Sequence, residues 1–444
     1  MTDISMKTNR ALPRKTIIAG ALGNFVEWYD AIVFAYAAAA IGHIFYGNAS
    51  ESVQLVASFS TFAVTYVVRP FSGITLGIVS DIIGRKNVLM FTVLLMGAAT
   101  TTIGLLPGYD SIGIMAPILL ILCRVAQGIA AGGELMGSVT FVMEHVPAER
   151  RGLGISLIQM GTGLAYPVAF AFSYVLMNAG GNQWFNDGGW RWLFLSSAPL
   201  ALVALYIRSL LTETPVFSAI KETGESSRHP GKEILRVHKT KIVAVALLGF
   251  VFSGNGILFL AYLPNYLRGR QIDQNAVSAV IAATFLLLAL CIPIWGMVID
   301  RIKRRYSRLG STLAYTCALI PSYLLITSNS IPAIALGMAV LAVLLAFLYA
   351  MFPLVAAEAM PPAVRGTGGN MAFNIGSALI MGPVVLIALQ LVQWFGPVGP
   401  AYYGTFLGLI SVAAAVLGHR HLEPDASFEQ GEEVRLALAP VTNR

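Results

Sequence analysis

Charge is what this sequence has least of. Of 444 residues, only 11% are Asp, Glu, Lys or Arg, while 56% are hydrophobic. A soluble domain carries about 25% charged residues, so neither one large soluble domain nor several small ones fits. The same hydrophobicity excludes a disordered or collagen-like chain. Cysteine is scarce as well. Cys123, Cys291 and Cys317 stand alone inside apolar runs, which excludes a disulfide framework or a cysteine-based metal site. His419 and His421 are a close pair without a third ligand, so neither metal nor cofactor is expected. No cluster of His, Cys, Ser or Asp marks a catalytic centre, and no enzyme activity is expected. The class left is a polytopic membrane protein.

A helix that crosses a bilayer needs about 20 mostly apolar residues. Twelve such runs are present: 16–42, 53–79, 88–106, 113–142, 153–177, 192–211, 242–267, 277–299, 311–327, 331–357, 367–393 and 400–418. The first follows Lys7, Arg10, Arg14 and Lys15, but it is too long for a signal peptide and contains Glu27 and Asp30. The cations test the count. If both termini share one side, 24 of the 29 Lys and Arg fall on that side, the end of the sixth run included. Positive loops stay in the cytoplasm, so both termini are expected there, in a multi-pass protein of the plasma (inner) membrane. The net charge of +7 is then an orientation signal and does not indicate nucleic-acid binding. Trp184, Trp190 and Trp192 fall at the opposite boundary, where indole rings anchor.

The chain repeats itself. Gly77-x-x-x-Asp81-x-x-Gly84-Arg85-Lys86 follows span 2, and Gly296-x-x-x-Asp300-x-x-x-Arg304-Arg305 follows span 8. Glu144-x-x-Pro147-x-x-x-Arg151-Gly152 follows span 4, and Glu358-x-x-Pro361-x-x-x-Arg365-Gly366 follows span 10. The pattern predicts an all-α polytopic membrane protein with 12 transmembrane helices in two six-helix bundles related by pseudo-twofold symmetry, a transporter architecture with its site between the bundles. The expected division is a cytoplasmic N-terminus (1–15), an N-terminal bundle (16–211), a cytoplasmic central loop (212–241), a C-terminal bundle (242–418) and a cytoplasmic tail (419–444).

The loop motif Gly77 to Lys86 resembles the signature of the major facilitator superfamily. Gly23-Asn24-Phe25-Val26-Glu27-Trp28-Tyr29-Asp30, Arg69-Pro70, Arg124-x-x-Gln127-Gly128 with Gly132-Gly133-Glu134, Glu213-Thr214-Pro215-Val216-Phe217 and Pro400-Ala401-Tyr402-Tyr403 narrow it. Together they resemble the metabolite–proton symporters, whose members carry α-ketoglutarate, citrate, shikimate, or proline and betaine. The resemblance implies a loop between spans 2 and 3 that latches the cytoplasmic side in the outward-facing state. Gly77, Asp81, Gly84, Arg85 and Lys86 would form this gate with Asp300, Arg304 and Arg305. Asp81 would sit near a helix N-terminus, where the dipole favours negative charge. Two departures stand out: Lys303 in place of a glycine, implying a looser second gate, and Leu135 where an aromatic commonly follows the glutamate. The short tail lacks sustained heptads, unlike osmosensing relatives with a coiled-coil extension.

Five ionisable residues fall deep in the spans: Glu27, Asp30, Arg69, Arg124 and Glu134. Glu27 and Arg69 each lie about 15 Å from the cytoplasmic end, counting about 1.5 Å per residue. A central charge costs roughly 2.5–3.5 kcal/mol, so each of these must be paired, face an aqueous cavity, or stay neutral. A carboxyl whose arginine partner comes and goes changes its proton affinity, which is what proton coupling requires. Glu27, Asp30 and Glu134 are therefore the coupling candidates. Arg69 and Arg124 would bind a substrate carboxylate or partner those acids. Spans 7 to 12 contain no deep charge, only polar groups. Asn255, Tyr262, Asn370 and Asn374, together with Asn24, are the further substrate candidates. Gly128, Gly132, Gly133 and Gly137 of span 4 form small-xxx-small spacings that let a neighbouring helix approach. The expected function is proton-coupled symport of a small organic acid by alternating access, with protons and the lipid bilayer as partners and a monomer as the working unit. The alternatives are a zwitterion (proline or betaine) symporter and a proton-driven antiporter or exporter.

Overall fold

The computed structural model describes residues 12–47, 49–223 and 230–424. The N-terminal segment through residue 11, residues 224–229 of the central loop and the tail beyond 424 lie outside the described residues.

The described residues form a helical protein whose long helices follow the apolar runs. Spans 1 to 5 are Arg14–Phe45, Glu51–Ile83, Arg85–Leu105, Met115–Met143 and Arg151–Trp184. Span 6, Phe185–Ser209, is broken into a wide turn and two shorter helices. Spans 7 to 10 are Lys239–Arg268, Gln274–Arg301, Arg304–Ile326 and Ile331–Glu358. The last apolar stretch doubles back. Arg365–Met381 and Val384–Phe395 make span 11, Gly396 turns the chain with φ +71°, and Gly399–Leu417 is span 12. Twelve crossings in two six-helix bundles result.

Two expectations are corrected. Span 9 begins at Arg304, seven residues before the apolar run, because the helix continues past the hydrocarbon boundary. Its polar first turns bury Ser307, Arg308, Ser311 and Thr312. The second half therefore does contain a buried charge. Arg308 donates to the carbonyl of Leu422 at 2.7 Å, just past the end of span 12. Trp190 is not an interfacial anchor. It is fully buried, edge-on to Phe45 and Phe194, while Trp184 and Trp192 are exposed.

The glycines of span 4 explain why span 2 lies so close. A Cβ at Gly128 would meet the Thr65 carbonyl at 2.8 Å, and one at Gly132 would meet the Gly73 nitrogen at 2.7 Å. This contact carries Arg69 into the centre of the first bundle. The two bundles meet along spans 2 and 11 and along spans 5 and 8. The end that carries the Lys/Arg-rich loops is called the basic end below.

Candidate functional site

At the centre of the first bundle, spans 1, 2, 3 and 4 surround a cavity of about 20 Å³, room for a water molecule. Glu27, Trp28, Asp30, Tyr66, Arg69 and Arg124 line it. Four of the five predicted deep charges thus come together, as two pairs. Arg69 donates through Nη2 to Glu27 Oε1 at 2.7 Å. Arg124 donates through Nη1 to Asp30 Oδ2 at 3.1 Å. All four side chains are buried.

The pairs are not equally satisfied. Asp30 also accepts from Gln127 Nε2 at 2.5 Å and Thr100 Oγ1 at 2.9 Å, and Arg124 lies over the Phe34 and Phe62 rings at 4.2 and 5.1 Å. Glu27 has one arginine bond only, and its Oε2 is buried without a hydrogen-bond partner.

Glu134 lies elsewhere. It accepts from Thr92 at 2.7 Å, from Ser138 at 3.0 Å and from both terminal nitrogens of Arg208, Nη1 at 3.1 Å. Arg208 was counted among the loop cations. It is a further buried charge of the first half, and it also donates to the Ala19 carbonyl at 3.3 Å and to that of Leu89. The only sequence signal was its position inside the last turn of span 6, from which a long side chain can reach back into the bundle.

Aromatic rings surround the cavity, and sequence reasoning singled out few of them. Arg69 sits 5.8 Å from the Tyr66 ring and 5.9 Å from the Phe373 ring of span 11, across the bundle interface. Trp28 packs on Tyr166, which meets Phe285 of span 8 at 5.4 Å. Tyr66, Tyr166 and Tyr349 are buried.

The predicted polar groups outside this centre do not line the cavity. Asn24 donates to Gln159 at 3.1 Å, and Asn255 to the Gly404 carbonyl at 3.2 Å. Asn370 bonds back to the Gly366 carbonyl. Asn374 bridges the bundles, donating to the Gly132 carbonyl at 2.8 Å. Tyr262 is buried and stacked on Tyr266. In this conformation the four asparagines are helix-to-helix or intrahelical fasteners.

At the basic end, each repeat motif reaches the other bundle. Asp81 accepts from the Gly366 N–H at 3.1 Å and from the Thr367 N–H and hydroxyl at 2.7 Å each, at the N-terminus of span 11. Asp300 accepts from the Gly152 and Leu153 N–H groups at 2.6 and 2.8 Å, at the N-terminus of span 5. A Cβ at Gly77 would lie 2.9 Å from the Gly366 carbonyl, and one at Gly296 would lie 2.7 Å from the Gly152 carbonyl. Glu144 joins Arg85 at 3.5 Å, Arg365 at 2.9 Å and Thr214 at 2.6 Å. Arg304 pairs with Glu358 at 2.9 Å. Lys86 stays within its own half, bonding the Ser209 carbonyl at 3.0 Å, and Arg305 is exposed. Gly84 makes its turn with φ +111°, a region open to glycine. Lys303 holds the equivalent position with φ −61° and ψ 137°, so no glycine is required there.

The sequence pattern of the Major Facilitator Superfamily matches residues 20–384. The proline/betaine transporter of Escherichia coli strain K12 is 33% identical over 417 residues, covering 91% of this chain and 82% of its own. That of Salmonella typhimurium strain LT2 is 32% identical over 414 residues, covering 91% and 83%. The glycine betaine/proline/ectoine/pipecolic acid transporter OusA of Dickeya dadantii strain 3937 is 33% identical over 412 residues, covering 90% and 82%. Among solved structures, the proton:xylose symporter XylE bound to 6-bromo-6-deoxy-D-glucose aligns with TM-score 0.78 at 16% identity, covering 95% of this chain and 98% of that one. At that identity the likeness carries the fold alone.

Proposed function

The chain belongs to the major facilitator superfamily and is a multi-pass transporter of the plasma membrane, and from that premise we propose proton-coupled symport of a small zwitterion such as proline or a betaine. The observation that carries this reading is the charge balance of the cavity. Arg69 and Arg124 are each already paired, with Glu27 and Asp30. Neither cavity arginine is left free for an organic acid, which favours the zwitterion alternative over the organic-acid expectation. A substrate with no net charge enters such a site without adding an uncompensated charge to the membrane interior. The rings of Trp28, Tyr66, Tyr166 and Phe373 suit an ammonium group through cation–π attraction. The Arg69 guanidinium suits the zwitterion's carboxylate once a proton on Glu27 has released it. The named relatives carry proline and betaine, which supports the same choice.

Glu27 is the carboxyl to which we assign the coupled proton. It alone among the three acids combines a cavity position with an unpartnered oxygen. Asp30 and Glu134 have their lone pairs occupied, and a structural role suits them better. The basic end faces the cytoplasm in this reading, by its cations, and both termini lie there. The contacts of Asp81 and Asp300 then form the inner gate, closed in this conformation. The inner gate is released when the bundles rock.

The test is uptake by proteoliposomes under an imposed proton gradient, with proline, glycine betaine, α-ketoglutarate, citrate and shikimate offered in turn. Proton-driven accumulation of proline or betaine is expected. Accumulation of a carboxylate alone, or uptake indifferent to the gradient, overturns the proposal.

A further inference from the structure

Between the central cavity and the end opposite the basic loops, the bundles touch again through a cation. Arg268, near the end of span 7, places its guanidinium carbon 5.3 Å from the Tyr36 ring centre and 5.4 Å from that of Phe170. Both distances are within the roughly 6 Å over which a ring face attracts a cation. Tyr36 belongs to span 1 and Phe170 to span 5, so one side chain of the second bundle plugs a slot made by the first. The two rings are 6.2 Å apart and tilted by 58°. Among the described residues no carboxylate lies within ion-pairing distance of Arg268.

The slot continues a line of rings. Tyr166, Phe170 and Tyr174 recur every four residues and so share one face of span 5. Phe170 stacks on Tyr174 at 6.5 Å, and Tyr166 reaches Trp28 at the cavity wall. Span 7 also contains a π turn over Leu258–Tyr262, a wide turn of the kind found at functional sites. It lies between Arg268 and the membrane centre, where a small change of bend would swing the guanidinium.

We propose that the Tyr36–Phe170 slot is an entry subsite for the substrate's ammonium group, kept shut in this conformation by Arg268 acting as a resident cation. The occupant rests on the zwitterion reading above; the closure does not. A substrate cation replaces the guanidinium on the same two rings as the outer end opens, so the slot is never left without charge.

The experiment uses the full chain reconstituted in vesicles, with its three cysteines replaced by serine and Ala31→Cys placed on the cavity wall. The rate of modification by an anionic, membrane-impermeant thiosulfonate applied from outside is read. Arg268→Ala should raise it about tenfold or more, the factor that about 1.4 kcal/mol represents. Arg268→Lys should fall between, since lysine keeps the charge and loses the planar stack. Tetramethylammonium should slow modification in Arg268→Ala but not when Phe170→Leu is added. If Arg268→Ala does not fold, Arg268→Gln takes its place. A rate unchanged in the variant overturns the closure. A raised rate without tetramethylammonium protection overturns the subsite. Substrate uptake is not the readout, so failure of the zwitterion proposal and failure of this one are separately visible.

Discussion

Replacing Asp81 by Asn probes the proposed inner gate with almost no change in shape. The carboxylate accepts three bonds from the start of span 11, all at 3.1 Å or less, in a site that is 4% exposed. Bonds to a charged acceptor contribute about 1.5–3 kcal/mol each against about 0.5–1.5 for neutral ones, and the asparagine amide nitrogen cannot accept the backbone N–H that faces it, so the change costs about 3 kcal/mol. The helix dipole adds about 0.3–1 kcal/mol. Arg85 keeps Glu144 and the Pro362 carbonyl at 3.1 Å, which limits the collateral loss. The closed state should therefore weaken by about 3–4 kcal/mol, a shift of a few hundredfold in the gating equilibrium. Spin labels at the exposed positions Asn87 and Tyr306, one on each bundle at the basic end, would report it by pulsed dipolar spectroscopy. Asp81→Asn should lengthen the distance and slow turnover, with substrate affinity changed far less. A distance distribution and turnover matching the parent refute the reasoning, as would equal loss of turnover and affinity.

Other perturbations separate the roles of the buried charges. Glu27→Gln should keep substrate exchange but lose uphill uptake. One charge moved through about 100 mV supplies about 2.3 kcal/mol, so the accumulation ratio should fall by about fiftyfold at that potential. Glu134→Gln should instead lower stability by about 3–5 kcal/mol, read as thermal unfolding in detergent, because Arg208 is left buried without its counter-charge. Proton dependence should persist in the protein that survives. Trp28→Leu should weaken betaine binding by about 2–30-fold, corresponding to about 0.5–2 kcal/mol of cation–π attraction. Equilibrium binding of labelled betaine would check it, and an unchanged affinity would remove Trp28 from the site.

Much of the fold was legible because the bilayer imposes a simple rule on the chain. Apolar length and the sorting of cations give twelve crossings, and the two loop motifs give the duplication. Partners were not legible. Glu27 and Arg69 are 42 residues apart and meet only through tertiary packing, span 1 lying against spans 2 and 4. Depth counted along the backbone also fails for arginine. Arg208 and Arg308 have backbones near helix ends, yet their guanidinium groups are buried among carbonyls and carboxylates. Asn255, Asn370 and Asn374 stood out by polarity in apolar spans, but polarity alone cannot tell a fastener from a lining group. The every-fourth spacing of Tyr166, Phe170 and Tyr174 carries no signal by itself, because apolar helices are rich in rings; its meaning comes from Arg268, which packs against it.

The two halves of the seam at the basic end are copies in pattern and unequal in strength. Asp81 has three donors, including the Thr367 hydroxyl, whereas Asp300 meets Leu153 at the matching place and has two. Arg85 is sealed at 1% exposure, while Arg304 stands at 19%. When the bundles part, the seam of spans 5 and 8 should yield before that of spans 2 and 11. The molecule would then open as a door does, with the stronger seam as its hinge, and water would first reach the cavity along one edge only. A duplicated sequence would in this way produce a motion with a preferred side.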